Sequence, residues 1–264
     1  HPRSSAASDV YKRQALDRVR TYADGGEDAD IWAGLAELGI PALLIPEAQG
    51  GIGLQPLDAA IVAECLGSHI APTPFLESAV MAPTALVASG GDHDELLAEI
   101  AAGTTRIGIA FGEAIKRRNN AGVTVKDGRM SGTSMYAFDA EANAYLVADQ
   151  HQHIYLVRAD DPGLKRSHLA TVDKTRRTVE LNYDNVTADL VSDDASVFTA
   201  TVDIGRMALA ADTLGAAQNM LDQAVEYAKQ REQFNRPIGS FQAVKHMCAE
   251  LSLIHISEPT RRTS

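Results

Sequence analysis

The sequence has 264 residues, 45% of them hydrophobic and 22% charged, and its 35 acidic against 24 basic side chains give a formal net charge of −11. Such a surface repels nucleic acid and anionic membranes, which both call for a basic face, so neither is expected as a partner. The length suffices for one large or two to three small domains with real cores, and no apolar run nears the roughly 18 residues that a membrane span needs.

The two ends read unlike the rest. SSAASDVYKRQ (residues 4–14) and LSLIHISEPTR (residues 251–261) resemble in-frame translations of the adaptor oligonucleotides used in transposase-based sequencing libraries. Segments 1–14 and 251–264 are therefore set apart from fold reasoning. The natural part is expected to run from Ala15 to Glu250 or Leu251, as an internal piece of a longer protein.

From about residue 28 to 102 the pattern is helical and rich in Ala and Leu. Ile31, Leu35 and Leu38 recur at helical spacing beside Trp32, and Gly39 followed by Pro41 ends that helix. The connector GIPALLIPEAQGGIGLQP (39–56) follows. Its Gly50-Gly51-x-Gly53 reads as a tight turn, because a nucleotide loop would need a strand before it. A second helix from near Leu57 to Gly67 is expected to bury Ala60, Ile61 and Cys65, and Pro72 and Pro74 separate it from a third that starts near Leu76. Cys65 and Cys248 sit in apolar helical contexts, which predicts buried thiols in a reducing, cytoplasmic setting and no disulfide.

Between residues 105 and 192 the texture changes. RIGIA (106–110), GVTV (122–125), YLVA (145–148), IYLV (154–157) and TVELNY (178–183) are short β-branched or aromatic runs bounded by turns. Lys126-Asp127-Gly128-Arg129 is a hairpin signal. Strands so spaced predict a small antiparallel barrel or sandwich. His151 and His153 are placed at a hairpin tip, since no partner ligands stand at a metal-binding spacing.

From Thr201 a helix of about 30 residues, roughly 45 Å long at the standard rise, is expected. Ile204, Ala208, Ala211, Gly215, Leu221, Val225 and Ala228 trace its inward face, with many small residues that admit close neighbours. It breaks at Asn235-Arg236-Pro237. Ser240 is a natural N-cap for the next helix, whose buried side would be Phe241, Val244, Cys248 and Leu251. The predicted order is a helical domain (15–104), a β domain (105–192) and the start of a helical bundle (193–250).

Three passages carry a family resemblance: LAELGIPALLIPEAQGGIGL (35–54), GRMSGTSMYAFDAEANAYLVA (128–148) and YAKQREQFNRPIGSFQAVKHMCAE (227–250). Together they resemble the acyl-CoA dehydrogenase family, over essentially all of residues 15–250. The resemblance implies an α+β multidomain fold: an N-terminal helical domain, a small antiparallel β barrel or sandwich, and part of a C-terminal four-helix bundle. It also implies FAD, with an adenosine diphosphate arm that crosses into a neighbouring subunit. By resemblance Arg231 meets the pyrophosphate, Gln233 and Phe234 flank the adenosine, and Gln242 opens the next helix toward the same arm. A guanidinium can take a pyrophosphate in bidentate fashion, and an aromatic ring can pack on adenine. Helix logic alone offers another reading, with Arg231 a solvated charge paired to Glu226 or Glu232 and Phe234 an ordinary core ring.

The chain also departs from the family pattern. Where typical members carry Thr-Glu-Pro and then Gly-Ser-Asp, this sequence reads AFGEAIKRRNN (110–120). Glu113 matches the loop's glutamate and is expected on the substrate side, as is Arg206; Gly112 and Ala114 replace the threonine and proline. The family's Trp-x-Thr beside the flavin is Tyr136-Ala137-Phe138, so Tyr136 is left to supply a ring face and no hydroxyl stands at 138. Arg117 and Arg118 either steer the CoA phosphates or form a solvated basic loop. Asn235 stands where the family usually has Gly, and it tolerates a left-handed backbone.

The chemistry implied is α,β-dehydrogenation of an acyl-CoA thioester, in which a carboxylate takes the α-proton while the β-hydrogen leaves as hydride. No base is assigned. The family's usual glutamate falls beyond residue 250, and at the alternative helical position the sequence has Gly205 before Arg206. The expected partners are acyl-CoA, further subunits in a homo- or hetero-oligomeric dimer or tetramer through the bundle, and an electron-transfer flavoprotein. Two alternatives stand beside the dehydrogenase: a non-catalytic partner subunit of a heteromeric dehydrogenase, and a related flavin oxidase or monooxygenase.

Overall fold

A computed structural model describes residues 17, 19–23, 29–116, 118–119 and 121–252. The adaptor-like segment at residues 1–14, most of that at 251–264, and Arg117 lie outside the described residues. The described chain gathers into two compact units, one formed by the sequence up to residue 59 with 72–208, the other by 60–71 with 209 onward.

In the first unit, helical residues at 19–23 are followed by α1 (Ala29–Glu37). Its buried residue is Trp32, whose indole Nε1–H donates to the Gly103 carbonyl at 3.0 Å, while Leu38 projects into solvent. Gly39 follows with φ 73°, and Pro41 opens the next short turn. The Gly50–Gly53 stretch is a turn: Gly50 and Gly53 have φ of 83° and 70°, and a Cβ on Gly51 would lie 1.9 Å from the Ile45 carbonyl oxygen. A buried segment Phe75–Met81, wound as a π-helix, runs into α3 (Ala82–Ala88), and α4 (Asp94–Ala101) follows. Between these, α2 (Pro56–Ser68) differs from expectation. Ile61 and Cys65 are exposed; the buried positions are Ala59, Ala63 and Gly67. Small residues won that face because the neighbouring backbone comes too close for larger ones: a Cβ on Gly67 would lie 1.9 Å from the Asp212 carbonyl oxygen.

The β region is one eight-stranded sheet: β1 (Ile107–Ala110), β2 (Gly122–Lys126), β3 (Arg129–Phe138), β4 (Ala144–Ala148), β5 (Ile154–Arg158), β6 (Leu164–His168), β7 (Thr178–Thr187) and β8 (Asp189–Ser192). The order is β6-β7-β3-β1-β4-β5-β8, with β2 paired to β3. All pairings are antiparallel except β1 with β4. The β2–β3 hairpin turns on Asp127 and Gly128, both with positive φ, in the manner of the tight turns that match strand twist. The tip of β4–β5 holds His151 and His153, whose backbone N–H groups both donate to Asp149 Oδ1.

One face of the sheet closes over Val123, Met130, Val147, Val157, Leu181 and Val186. Each side chain of that size contributes about 1.5–3 kcal/mol on full burial. Gly108 is required by this packing, since a Cβ there would stand 2.5 Å from the Tyr145 ring. The π segment is stitched to the sheet by Ser78, whose hydroxyl donates to the Ile107 carbonyl at 3.1 Å and accepts the Ile107 N–H at 3.0 Å.

A single helix, α6 (Ala195–Gln230), carries the chain onward for 36 residues. The inward row read from Ile204 to Ala228 is buried or half-buried throughout. In the second unit a Cβ on Gly215 would lie 1.9 Å from the Glu64 carbonyl oxygen, so backbone packs on backbone there. After a junction, α7 (Gln242–Glu250) completes the described chain. Its N-cap is Phe241 and not Ser240, with no side-chain capping bond. Of the expected buried side, Phe241, Val244 and Cys248 are half-buried and Leu251 is exposed. Both cysteines are free, and neither is the buried thiol expected.

Candidate functional site

The junction between α6 and α7 is a miniature hairpin. Glu232–Gln233 pairs antiparallel with Arg236–Pro237, in the register Gln233↔Arg236. That leaves a two-residue loop, Phe234-Asn235, with φ of 54° and 59°. Asn235 thus adopts the left-handed conformation for which asparagine is suited. Phe234 does so as well, at a cost of about 1–2 kcal/mol for a bulky residue. The base of the hairpin is closed by the Ile238 N–H donating to the Arg231 carbonyl at 2.8 Å. Gly239 sits under α6, where a Cβ would come within 2.9 Å of the Ala228 carbonyl oxygen.

What the hairpin presents decides between the two readings of its side chains. Phe234 is 87% exposed and therefore no core ring; it meets Phe241 edge-on at 6.2 Å between centroids. Arg236 is used within the junction, its guanidinium 4.0 Å from the Phe241 ring centroid. Arg231 is exposed and makes no ion pair among the described residues; Glu226 is engaged by Lys229 and Gln230 instead. Gln242 is exposed at the first residue of α7, where a helix's unpaired N–H groups favour an anion. Gln233 is exposed, and its amide donates to the Glu232 carbonyl at 2.8 Å. The structure thus brings Arg231, Gln233, Phe234 and Gln242 onto one exposed junction. A free guanidinium, a bare ring and a helix N-terminus form a donor set suited to a diphosphate and a purine, so these residues fit the adenosine diphosphate part of FAD.

The remaining predicted residues lie in the first unit. Strand β3 loses register between Ser134 and Ala137, and the displaced residue Tyr136 has φ 58° and is 44% exposed. Below it, the one-turn helix α5 (Gly112–Ile115) carries Glu113. Glu113 does not offer an oxygen to solvent. Its side chain is 3% exposed and pairs with Arg118 Nη1 at 2.6 Å. It also accepts the Arg118 N–H at 3.0 Å and the Met135 N–H at 3.4 Å. Arg118 in turn lays its guanidinium 4.8 Å from the Tyr136 ring centroid. Glu113, expected on the substrate side, is thus buried against Arg118, and Arg118, expected either to steer CoA phosphates or to lie in a solvated basic loop, is paired to it. Arg206 is exposed on α6 and bonded to Asp203 at 2.9 Å. Next to it Gly205 is buried, and a Cβ there would lie 2.8 Å from the Met81 sulfur.

One polar group was not anticipated. Glu77, buried in the π segment, lines a cavity of about 250 Å³ with Tyr22, Arg106, Asp139 and Arg176. Asp139 is held bidentately by Arg106, whereas Glu77 Oε2 has no hydrogen-bond partner. Burial, reinforced by the Asp139 charge, raises the Glu77 carboxyl to about 7. The signal in the sequence was a single carboxylate inside the apolar run FLESAVM (75–81). Among the described residues no group of three or more His, Cys, Asp or Glu is arranged to hold a metal ion, and no helix is long and apolar enough to cross a membrane.

Comparison with known proteins covers both ends of the chain. Residues 4–104 match the family described as acyl-CoA dehydrogenase, N-terminal domain, and residues 195–255 match acyl-CoA dehydrogenase, C-terminal domain. A curated relative, acyl-CoA dehydrogenase IpdE2 of Mycobacterium tuberculosis, is 34% identical over 253 residues, covering 94% of this chain and 69% of the relative. Among solved structures, the Tcur3481-Tcur3483 steroid ACAD superposes with a TM-score of 0.79 at 29% identity, over 93% of this chain and 73% of that one. The ChsE4-ChsE5 complex from Mycobacterium tuberculosis superposes with a TM-score of 0.77 at 29% identity, over 94% and 73% of the two chains.

Proposed function

The chain belongs to the acyl-CoA dehydrogenase family, FAD-dependent oxidoreductases that act on acyl-CoA, and from that premise we propose that the α6–α7 junction grips the adenosine diphosphate arm of an FAD reaching in from a neighbouring subunit, and that Tyr136 separately walls the ring end of an FAD. The observation that carries this is the exposed hairpin with a strained, solvent-facing Phe234 and an unpaired Arg231. A left-handed phenylalanine persists only where its surroundings overdetermine it, and such residues cluster at ligand sites. Arg231 binds the diphosphate, Phe234 packs on the adenine, Gln233 and the N-terminus of α7 with Gln242 supply further donors, and Arg206 serves the substrate side. Glu113 acts from beneath, as the buried anchor of the Tyr136 bulge.

When bound, FAD supplies the acceptor for the β-hydrogen of the thioester, which leaves as hydride. This chain's residues bind and orient; no carboxylate stands at position 205, where Gly205 is packed on Met81. The altered wording of the loop, with Gly112 and Ala114 where the family carries threonine and proline, favours a second reading, in which the chain is the partner subunit of a heteromeric dehydrogenase whose base another chain supplies. The named composition of the ChsE4-ChsE5 complex is in keeping with this. An electron-transfer flavoprotein is the expected redox partner, and the cytoplasm the expected setting.

The test is purification of the full-length parent protein, alone and with candidate companion chains, followed by a visible spectrum and addition of acyl-CoA. Bound flavin that bleaches on addition supports the dehydrogenase; bleaching only with a companion chain supports the partner reading; no flavin in either preparation rejects both.

A further inference from the structure

The bulge in β3 places an aromatic residue where backbone conformation alone would not keep it. Tyr136 has φ 58° and 44% exposure, so neither local preference nor core burial fixes its ring. What fixes it is one carboxylate. Glu113 reaches the bulge through the Met135 N–H, the following loop through the Arg118 N–H, and the Arg118 guanidinium through an ion pair of 2.6 Å. That guanidinium then covers the Tyr136 ring at 4.8 Å. Its planar, weakly hydrated fork is suited to pairing with a carboxylate and stacking on a ring.

We propose that Arg118 is a positioning residue for the flavin: paired to Glu113 and seated over Tyr136, it holds the ring as a fixed wall for the isoalloxazine. This rests on the reading of Tyr136 as a flavin contact. It assigns a working role to the loop at residues 112–119, whose sequence departs from the family's usual wording. The three side chains form a unit, Glu113 as anchor, Arg118 as strut and Tyr136 as the presented face.

Such a unit is tested by a double-mutant cycle on FAD binding, read from flavin fluorescence and from the visible circular dichroism of the bound flavin. Arg118→Gln is expected to weaken FAD binding at least about tenfold and to change the flavin dichroism, and Tyr136→Leu to weaken it comparably. The double variant should be little worse than either single one, because both remove the same wall. Arg118→Lys, which keeps a charge for Glu113 and loses the planar stack, should be intermediate at about three- to tenfold, and it remains decisive if Arg118→Gln does not fold. Wild-type affinity and dichroism in Arg118→Lys or in folded Arg118→Gln, or additive losses in the double variant, would overturn the proposal. Wild-type protein that binds no FAD would instead sink the functional reading itself.

Discussion

The Glu113 corner and the α6–α7 junction carry the same kinds of side chain, an arginine beside an aromatic on a left-handed backbone, in opposite states. At the corner, Arg118 has a buried carboxylate 2.6 Å away and its ring partner is half-covered. At the junction, Arg231 has no charged partner among the described residues and Phe234 is 87% exposed. A guanidinium satisfied inside its own chain contributes chiefly to structure. One left open, next to a ring held at a strained φ, is available to a partner outside the chain. Changes at the corner should therefore register first in stability, and changes at the junction in ligand affinity with stability nearly unmoved.

The largest expected effect comes from breaking the corner asymmetrically. Arg118→Ala leaves the Glu113 carboxylate buried without its cation and should cost about 3–5 kcal/mol. Glu113→Ala frees an arginine whose side chain is already 41% exposed and can turn to water, so its cost should be about 1–2 kcal/mol. Urea titrations of both variants check this. Equal costs would mean that Arg118 and Glu113 do not form the buried pair described.

Glu77 sharpens the stability side of the comparison. Its carboxyl is raised from an ordinary 4.5 to about 7 by burial and by Asp139, against the favourable charges of Arg176 and Arg106. In that window the folded state holds a proton that the unfolded state has released. Stability should therefore be fully present below pH 4.5 and fall as pH rises through 7, by about 3 kcal/mol in all. Glu77→Gln should abolish this slope and be the more stable protein at pH 8, while matching the wild type at pH 4.5. Melting curves across pH 4–8 decide it, and a slope unchanged in the variant would remove Glu77 as its source.

Legibility in the sequence followed how local the controlling physics is. The Lys126–Arg129 hairpin was readable because a two-residue turn is specified by its own residues. The inward row of α6 was readable because Ile204, Ala208, Ala211 and Gly215, and again Leu221, Val225 and Ala228, recur at three- and four-residue spacing. Strand β6 was not, since LKRSH is almost wholly exposed and has neither alternation nor β-branched residues. The face of α2 was misread for a different reason: apolar spacing favoured Ile61 and Cys65, whereas close backbone approach selects Ala59, Ala63 and Gly67. At the site, the junction was legible through its wording. The corner was not, because the pairing of Glu113 with Arg118 depends on a single turn of helix doubling the chain back over five residues.

Arg231→Ala probes the junction where the corner's behaviour should be absent. Exposed and unpaired, the side chain contributes little to folding, so the melting temperature should hold within the change expected of about 0.5 kcal/mol. FAD affinity should fall about 10- to 100-fold, the loss of a charge-assisted bidentate contact worth about 1.5–3 kcal/mol. Calorimetric titration with FAD and a thermal melt separate the two quantities. A large drop in melting temperature with unchanged affinity would return Arg231 to the role of a structural helix-end charge.

The smallest effect runs in the opposite direction and is for that reason the most discriminating. Phe234 occupies the first turn position with φ 54°, which costs a side-chain-bearing residue about 1–2 kcal/mol, while 87% of its surface stays in water and returns little. Phe234→Gly removes that strain and adds about 0.4–1 kcal/mol of unfolded-chain entropy. The net should be a stabilisation of about 0.5 kcal/mol. If the ring is there to lie on adenine, the same variant should bind FAD about tenfold more weakly even as its melting temperature rises slightly. Stability and affinity moving apart in one substitution is the signature of strain held for a ligand. A variant that loses stability would show that the edge-on contact with Phe241 outweighs the backbone cost, and that the hairpin is built for itself.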